Sequence, residues 1–248
     1  MFSPEGFSKD IFKQRYAFTE EESWEGMSRR ASLQAAQAEV PEKQQKYEER
    51  FFEIISQNLF VPGGRILANS GKSEGQLLNC FVLGHDLDSK EGWGRLAYEM
   101  IVTSMTGGGC GIDFSAVRPR GAGIKGRKGV APGAVELMKL VNGAAAPIKA
   151  GGDRRVALMF SLDLDHPDVL EFLDAKLEKG QLTNANVSVR SKRTSDFIKA
   201  VRENVDWEFR WKSNWGPKPE KFKNNKVRAR DLWNKIVENA WKSAEPGS

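Results

Sequence analysis

Cysteine and histidine are both scarce in this chain, two of each in 248 residues. Cys80 and Cys110 cannot build the disulfide framework of a small secreted domain. His85 and His166 are too few for a metal cluster or a serine–histidine device. His166, next to Pro167 and Asp168 at an expected helix start, reads as structural. Long apolar runs are missing too, and none approaches the ~18 residues of a membrane span. The opening Met1-Phe2-Ser3-Pro4-Glu5 has neither the basic start nor the apolar stretch of a signal peptide. Internal repeats and low-complexity tracts are absent as well. These absences favour a protein of the reducing cytoplasm, with no membrane partner.

The chain does have enough apolar material for a sizeable core, 40% hydrophobic against 29% charged, and room for one large domain or two small ones. Its net charge is +5, with a pI near 9.1, which suits anionic ligands such as nucleotides without requiring them. Lys and Arg gather at 118–155 and again at 210–230. The second cluster (Lys218, Lys221, Lys223, Lys226, Arg228, Arg230) lies among Pro, Asn and Gly and reads as a solvated loop. It lacks the interleaved aromatics of a single-strand nucleic-acid platform.

Two regions differ in pattern. Residues 1–65 read as helical. Thr19-Glu20-Glu21-Glu22 suits an acidic first turn. Pro41 opens another helix, on which Tyr47, Phe51, Ile54, Ile55 and Leu59 share a face. Pro62-Gly63-Gly64 ends the region. From 66 to 248 strands alternate with helices, which predicts an α/β fold with a largely parallel sheet or barrel. The apolar run 76–83 predicts a buried strand. Asp88 and Glu91 have capping-box spacing ahead of a helix through Trp93, Leu96, Ala97, Met100 and Ile101, and Gly107 to Gly109 stop it. A strand is expected at 112–114. Residues 119–132, with four glycines and two prolines, form a loop. A helix over 134–146 ends at Pro147. A strand follows at 156–162, then a helix capped by Asp165 with Pro167 in its first turn. A strand at 186–190, a helix at 195–202, a strand at 207–211 and a last helix through Leu232 and Ile236 complete the expected order.

Five phrases inside the second region carry chemistry by resemblance. They are Asn79-Cys80-Phe81-Val82-Leu83, Gly107-Gly108-Gly109-Cys110-Gly111-Ile112-Asp113-Phe114-Ser115, Gly151-Gly152-Asp153-Arg154-Arg155-Val156-Ala157, Asp165-His166-Pro167-Asp168 and Asn184-Ala185-Asn186-Val187-Ser188-Val189. Their order and spacing resemble the catalytic chain of ribonucleotide reductase, nearest its adenosylcobalamin-dependent class II branch. The resemblance covers about residues 20–247. It implies an N-terminal helical region followed by the first part of a ten-stranded α/β barrel, and a ribonucleoside diphosphate substrate.

A lone cysteine in an apolar strand is ordinarily inert packing. The small polar residues Gly71, Ser73, Gly75 and Gln76 upstream of Cys80 suit a pocket instead, and the resemblance gives Cys80 a role as one of two thiols that reduce the substrate. Loss of the ribose 2′-hydroxyl takes two electrons and two protons, which a thiol pair supplies by closing to a disulfide. A third cysteine carries the radical. Two cysteines cannot fill three posts, and Cys110 reads as packing. The family's Asn-Pro-Cys-Gly-Glu phrase does not occur in this sequence. The chain is therefore expected to be inactive alone and to need the C-terminal remainder of a reductase. A thioredoxin-like reductant would recycle the disulfide. Adenosylcobalamin is the implied cofactor, bound mostly by residues outside this chain. Ser70, Asn79 and Gly109 are the candidate substrate contacts.

The resemblance also implies a second nucleotide site, for a dNTP or ATP effector. Asp88 and Ser89 stand at the spacing for effector ribose and base, and a carboxylate accepts from two ribose hydroxyls. Asp88 can also serve as the helix cap. Lys125, Arg127 and Lys128 lie in a glycine-bearing first loop suited to a triphosphate; a mobile basic loop is the plainer reading. Arg154 and Arg155 lie in a second loop whose glycines permit two backbone states, stiffened where Val156 replaces the family's glycine. Apolar stripes on helices 89–106 and 134–146 fit a homodimer as well as simple core packing. Three alternatives stand beside this reading: a class I large-subunit fragment, a nucleotide-binding module without activity, and a basic nucleic-acid binder.

Overall fold

Helix-forming sequence comes first in the chain and strand-forming sequence second, and the computed structural model divides it accordingly. It describes residues 2–73, 75–84, 86–124, 128–150, 154–177, 181–211 and 225–247, with Lys149, Ala150 and Arg154 described by backbone alone. Two units form, Met1–Asn79 and Cys80–Ser248. The glycine pair from which a division at 65/66 was expected sits inside the first of them.

The first unit holds helices α1 (Gly6–Arg15), α2 (Trp24–Ala36), α3 (Pro41–Ser56) and α4 (Gly64–Asn69). Phe12, Trp24, Met27, Ala31, Ile55 and Leu67 make its core. Trp24 packs its ring there and satisfies its indole N–H on the Ile55 carbonyl at 3.1 Å. The acidic run 19–22 lies ahead of α2, not in it. Ser23 caps that helix, its Oγ accepting from the Gly26 N–H at 3.1 Å, and Glu22 pairs with Arg30 at 2.7 Å. Leu59, expected on the α3 face, lies beyond the end of α3 and is exposed. The glycine pair does not stop helical structure either. Gly63 has extended backbone, and its carbonyl accepts from Ile66 and Leu67, so it starts α4.

The second unit is built on a parallel sheet of β1 (Cys80–Leu83), β2 (Gly109–Asp113), β5 (Leu158–Asp163) and β6 (Ala185–Arg190), in the order β1-β2-β5-β6. Helix α5 (Lys90–Met105) connects the first pair and α7 (Val169–Asp174) the last. Helix α6 (Ala134–Ala145) and the two-residue antiparallel strands β3 (Lys149–Ala150) and β4 (Arg154–Arg155) lie between β2 and β5 in sequence. Helix α8 (Thr194–Glu203), the antiparallel pair β7 (Asp206–Glu208) and β8 (Lys226–Arg228), and helix α9 (Ala229–Ser243) follow. One sheet face is the core. Cys110, Ile112, Leu158, Phe160, Leu162, Ala185, Val187 and Val189 are all buried on it with α5 and α6 residues such as Leu96, Met100, Leu137 and Met138. Phe114 and Phe160 meet edge to face at 5.1 Å. The α/β expectation holds, and no helix among the described residues is long and apolar enough to cross a membrane.

Several local expectations are corrected. β1 is an edge strand with one open face, and Val82 is 90% exposed. β2 begins at Gly109, because Gly107 at φ +91 ends the turn after α5 and lets the chain extend at once. Asp165 does not cap α7; it pairs with Arg193 at 3.0 Å, and the helix starts at Val169. Lys226 and Arg228, read as solvated loop, form β8 and pair with Asp206 at 2.6 and 3.4 Å. Arg230 lies on α9 and donates to the Val201 and Arg202 carbonyls at the end of α8. Lys218, Lys221 and Lys223 lie outside the described residues.

Candidate functional site

Strand alternation decides what each cysteine can do. Cys80 and Val82 stand on the open face of the sheet, and Phe81 and Leu83 point the other way. Cys80 lies opposite Gly109 in the parallel register, and Phe81 opposite Cys110. Adjacent residues of a strand face opposite sides, so Cys110 projects away from the face that carries Cys80. Cys80 is free and exposed, whereas Cys110 is free and buried. Burial pushes the Cys110 thiol up, against a smaller pull from Ser104, whose Oγ lies 3.7 Å from Sγ. A buried, protonated thiol on the wrong face is a poor reductant. Cys110 therefore packs, and cannot close a disulfide with Cys80 without breaking the sheet register.

Space adjoins Cys80. Gly109 and Gly111 of β2 put no side chain on the open face beside Cys80 and Val82. A Cβ at Gly111 would meet only the Phe81 carbonyl, at 3.8 Å, so packing does not require glycine there. The next layer is Val82, Gly111, Met159 and Asn186, followed by Asp113, Ser161 and Ser188. Polarity thus rises toward the carboxyl ends of the strands. There Asp113 Oδ1 accepts from Ser115 Oγ at 2.6 Å and Ser161 Oγ at 3.3 Å, and Arg190 bridges Asp113 (3.1 Å) and Asp163 (2.8 Å). Asp163 above all holds the Arg190 guanidinium firmly charged.

The other substrate candidates belong to the first unit. Ser70 is buried, and its Oγ donates to the Ile66 carbonyl at 2.7 Å. Asn79 is exposed, and a Cβ added at Gly63 would fall 2.9 Å from its Nδ2.

Among the effector candidates, Ser89 and not Asp88 caps α5. Its Oγ accepts from the Gly92 N–H at 2.9 Å and donates to the Asp86 carbonyl at 3.1 Å. Asp88 is taken by Arg118, a residue that sequence reasoning passed over. The Arg118 N–H and Nε both donate to Asp88 Oδ1, at 3.0 and 2.7 Å, and Nη2 donates to the Asp88 carbonyl at 3.0 Å. Nη1 donates to the Gly123 carbonyl at 3.1 Å. Lys128 and Arg155 are exposed. Arg154 pairs by its backbone with Ala150. Lys125, Arg127 and the glycines at 151–152 lie outside the described residues.

A second anchor holds the same region. His166 is buried, its Nδ1 accepts from the Asp168 N–H at 3.0 Å, and its Nε2 therefore carries the proton that goes to the Val117 carbonyl at 2.7 Å. Burial pushes the imidazole down and keeps it neutral. The Asp168 carboxylate accepts from the N–H groups of Arg120 and Ala134, both at 3.0 Å, so it caps α6 from a distant part of the chain. Gly133, at φ +96, leaves room: a Cβ there would lie 2.7 Å from Asp168 Oδ2. No local sequence signal marks Arg118 or Asp168 as partners of these groups.

A parallel sheet buried on one face by helices, with a free, exposed thiol on the other beside two glycines, defines an α/β scaffold with a covered side and an open side. The family model described as ribonucleotide reductase, barrel domain, matches residues 78–248, and the one described as ribonucleotide reductase, all-alpha domain, matches residues 2–75. The chain belongs to the ribonucleotide reductase family. It is 37% identical over 202 residues to a vitamin B12-dependent ribonucleoside-diphosphate reductase of Thermoplasma acidophilum, covering 81% of this chain and 25% of the relative. Identity to the enzyme of the same name in Mycobacterium tuberculosis is 33%, over 78% of this chain and 29% of that protein. A ribonucleoside-diphosphate reductase subunit alpha of Helicobacter pylori is 29% identical, over 79% and 27%. The chain thus spans about a quarter of the length of the curated relatives it matches.

Proposed function

We propose that this chain supplies the N-terminal part of a ribonucleoside-diphosphate reductase, with Cys80 as one of the two thiols that reduce the substrate. The observation that carries the reading is the exposed Cys80 sulfur on the open, glycine-flanked face, with Cys110 turned into the core. In the reduction, two thiols lose two electrons and two protons and close to a disulfide, and the ribose 2′-hydroxyl leaves as water. The second thiol must come from outside this chain, as must the radical-bearing cysteine and the catalytic Asn and Glu that the resemblance implies. Gly109, opposite Cys80, is assigned to the substrate, and Ser70 and Asn79 are assigned by resemblance alone. Ser70 would have to release the Ile66 carbonyl to bind through its hydroxyl.

Adenosylcobalamin is the cofactor we assign, because the relatives in Thermoplasma and Mycobacterium are named vitamin B12-dependent. The described residues do not fit as cobalt ligands. His166 uses both ring nitrogens internally, and no group of three His, Cys, Asp or Glu among the described residues could hold a metal ion. The C-terminal remainder would hold the cofactor, whose bound form supplies the initiating radical. Binding of adenosylcobalamin to the completed enzyme, read as a spectral change, separates this reading from a class I large subunit. A thioredoxin-like protein is the proposed reductant and the cytoplasm the proposed compartment.

Asp88, Ser89, Lys125, Arg127, Lys128, Arg154 and Arg155 are assigned to a dNTP or ATP effector. Tyr98, Val102 and Met105, exposed along one stripe of α5, and Leu140, exposed on α6, suit a homodimer contact. Since Cys110 cannot complete the dithiol, the isolated chain is expected to bind nucleotide without turning it over. Calorimetry with the four dNTPs should give a stoichiometric site that Asp88→Ala removes; no heat with any of them would overturn the effector assignment. In the completed enzyme Cys80→Ser should abolish multiple turnover of ribonucleoside diphosphates, and undiminished turnover would overturn the assignment of Cys80.

A further inference from the structure

Arg118 joins two parts of the second unit that are distant in sequence. On one side is the turn before α5, where it takes Asp88 through Oδ1 and the main-chain carbonyl. On the other is the segment after β2, whose two stems pair across Gly121 N–H to Ala131 O (2.7 Å), Ala131 N–H to Ala122 O (2.8 Å) and an antiparallel bridge between Gly123 and Val130. Arg118 reaches these stems through the Gly123 carbonyl at 3.1 Å. The Arg118 and Asp88 side chains are only 14% and 19% exposed, so water competes weakly for their contacts. Among the described residues nothing donates to Asp88 Oδ2, so that oxygen can accept a ligand hydroxyl while Oδ1 stays with Arg118.

We infer that Arg118 is a positioning residue that makes the Asp88 carboxylate and the paired stems one mechanical piece. Arginine is required for this. Its planar fork serves three acceptors on two segments, a geometry that lysine's single ammonium cannot reproduce. The consequence rests on the effector reading above: hydroxyls taken up at Asp88 would tighten the stems, and by linkage anything that tightens the stems would raise affinity at Asp88. The strut itself can be tested without any nucleotide.

The test is residue-resolved amide hydrogen exchange on the full chain, with the amides of β5 and β6 as a folding control. Asp88→Ala should speed exchange at Gly121 and Ala131 by about tenfold, the scale of a lost charge-assisted hydrogen bond. Arg118→Gln should do the same, Arg118→Lys should not restore protection, and Asp88→Ala with Arg118→Gln should be no worse than either alone. Unchanged exchange at Gly121 and Ala131 in Asp88→Ala, with the sheet control intact, would overturn the strut. Additive effects in the double variant would do so too. Adding dATP should slow Ala131 exchange in the wild type and leave it unchanged in Arg118→Lys. If dATP has no effect in the wild type while the variants remain coupled, the effector assignment fails and the strut stands.

Discussion

The two faces of the parallel sheet share strands, residue spacing and even an element, sulfur, yet they are built for different work. On the covered face Cys110 lies with Ile112, Leu158 and Phe160, and its thiol is pushed toward the protonated form. On the open face Cys80 stands beside Gly109 and Gly111, with Met159 and Asn186 further across. A shift of one residue along a strand separates the two environments. The comparison teaches that exposure here is set by strand parity more than by sequence neighbours, since both cysteines lie in adjacent strands of one sheet, each next to the apolar Phe81, along the strand for Cys80 and across the register for Cys110.

The largest expected effect sharpens that contrast in stability. Phe160→Ala on the covered face should cost about 3–5 kcal/mol by denaturant unfolding, because it opens a cavity among fully packed neighbours. Met159→Ala, one residue earlier and on the open face, should cost less than about 1 kcal/mol. Equal losses would break the comparison. Asp168→Ala should come next, at about 1–3 kcal/mol, since it strips acceptors from the Arg120 and Ala134 N–H groups; a lowered melting temperature checks it.

A smaller effect depends on pH. His166 is held neutral by burial, with its pKa lowered in the folded chain. The unfolded chain takes up that proton near pH ~6.5. The contribution is therefore full above that pH and is lost as pH falls below it, by at most ~1.4 kcal/mol per pH unit, until the folded value is passed. Denaturation midpoints between pH 7 and 5 should fall in the wild type, and His166→Gln should flatten that slope. Smallest of all, Val82→Thr on the exposed edge should change stability by less than about 0.5 kcal/mol; a large loss would mean that the open face is packed in solution.

Much of the architecture could be read from the sequence because it rests on local periodicity. The spacing of Leu96 and Met100, the run 134–146 and the alternation from Val187 to Val189 correspond to α5, α6 and β6. Parallel pairing followed from helices lying between strands. What could not be read rests on contacts between distant residues. Asp88 looked like a cap because Glu91 follows it at the right interval. Ser89 caps instead because Arg118, thirty positions along, claims Asp88. Asp165 lost its expected cap role to Arg193 in the same way. β8 was hidden because Lys226 and Arg228 look like loop residues until β7 is set against them and Asp206 pairs with both. The exposure of β1 depends on its place at the sheet edge, which an apolar run does not reveal.

The most direct test of the two-face account is the rate at which a maleimide labels each cysteine in the folded chain, read by peptide mass spectrometry. Cys80 should label rapidly under native conditions, and Cys110 only when denaturant opens the core. Equal rates for the two thiols, or a Cys80 that resists the reagent until the chain unfolds, would contradict it.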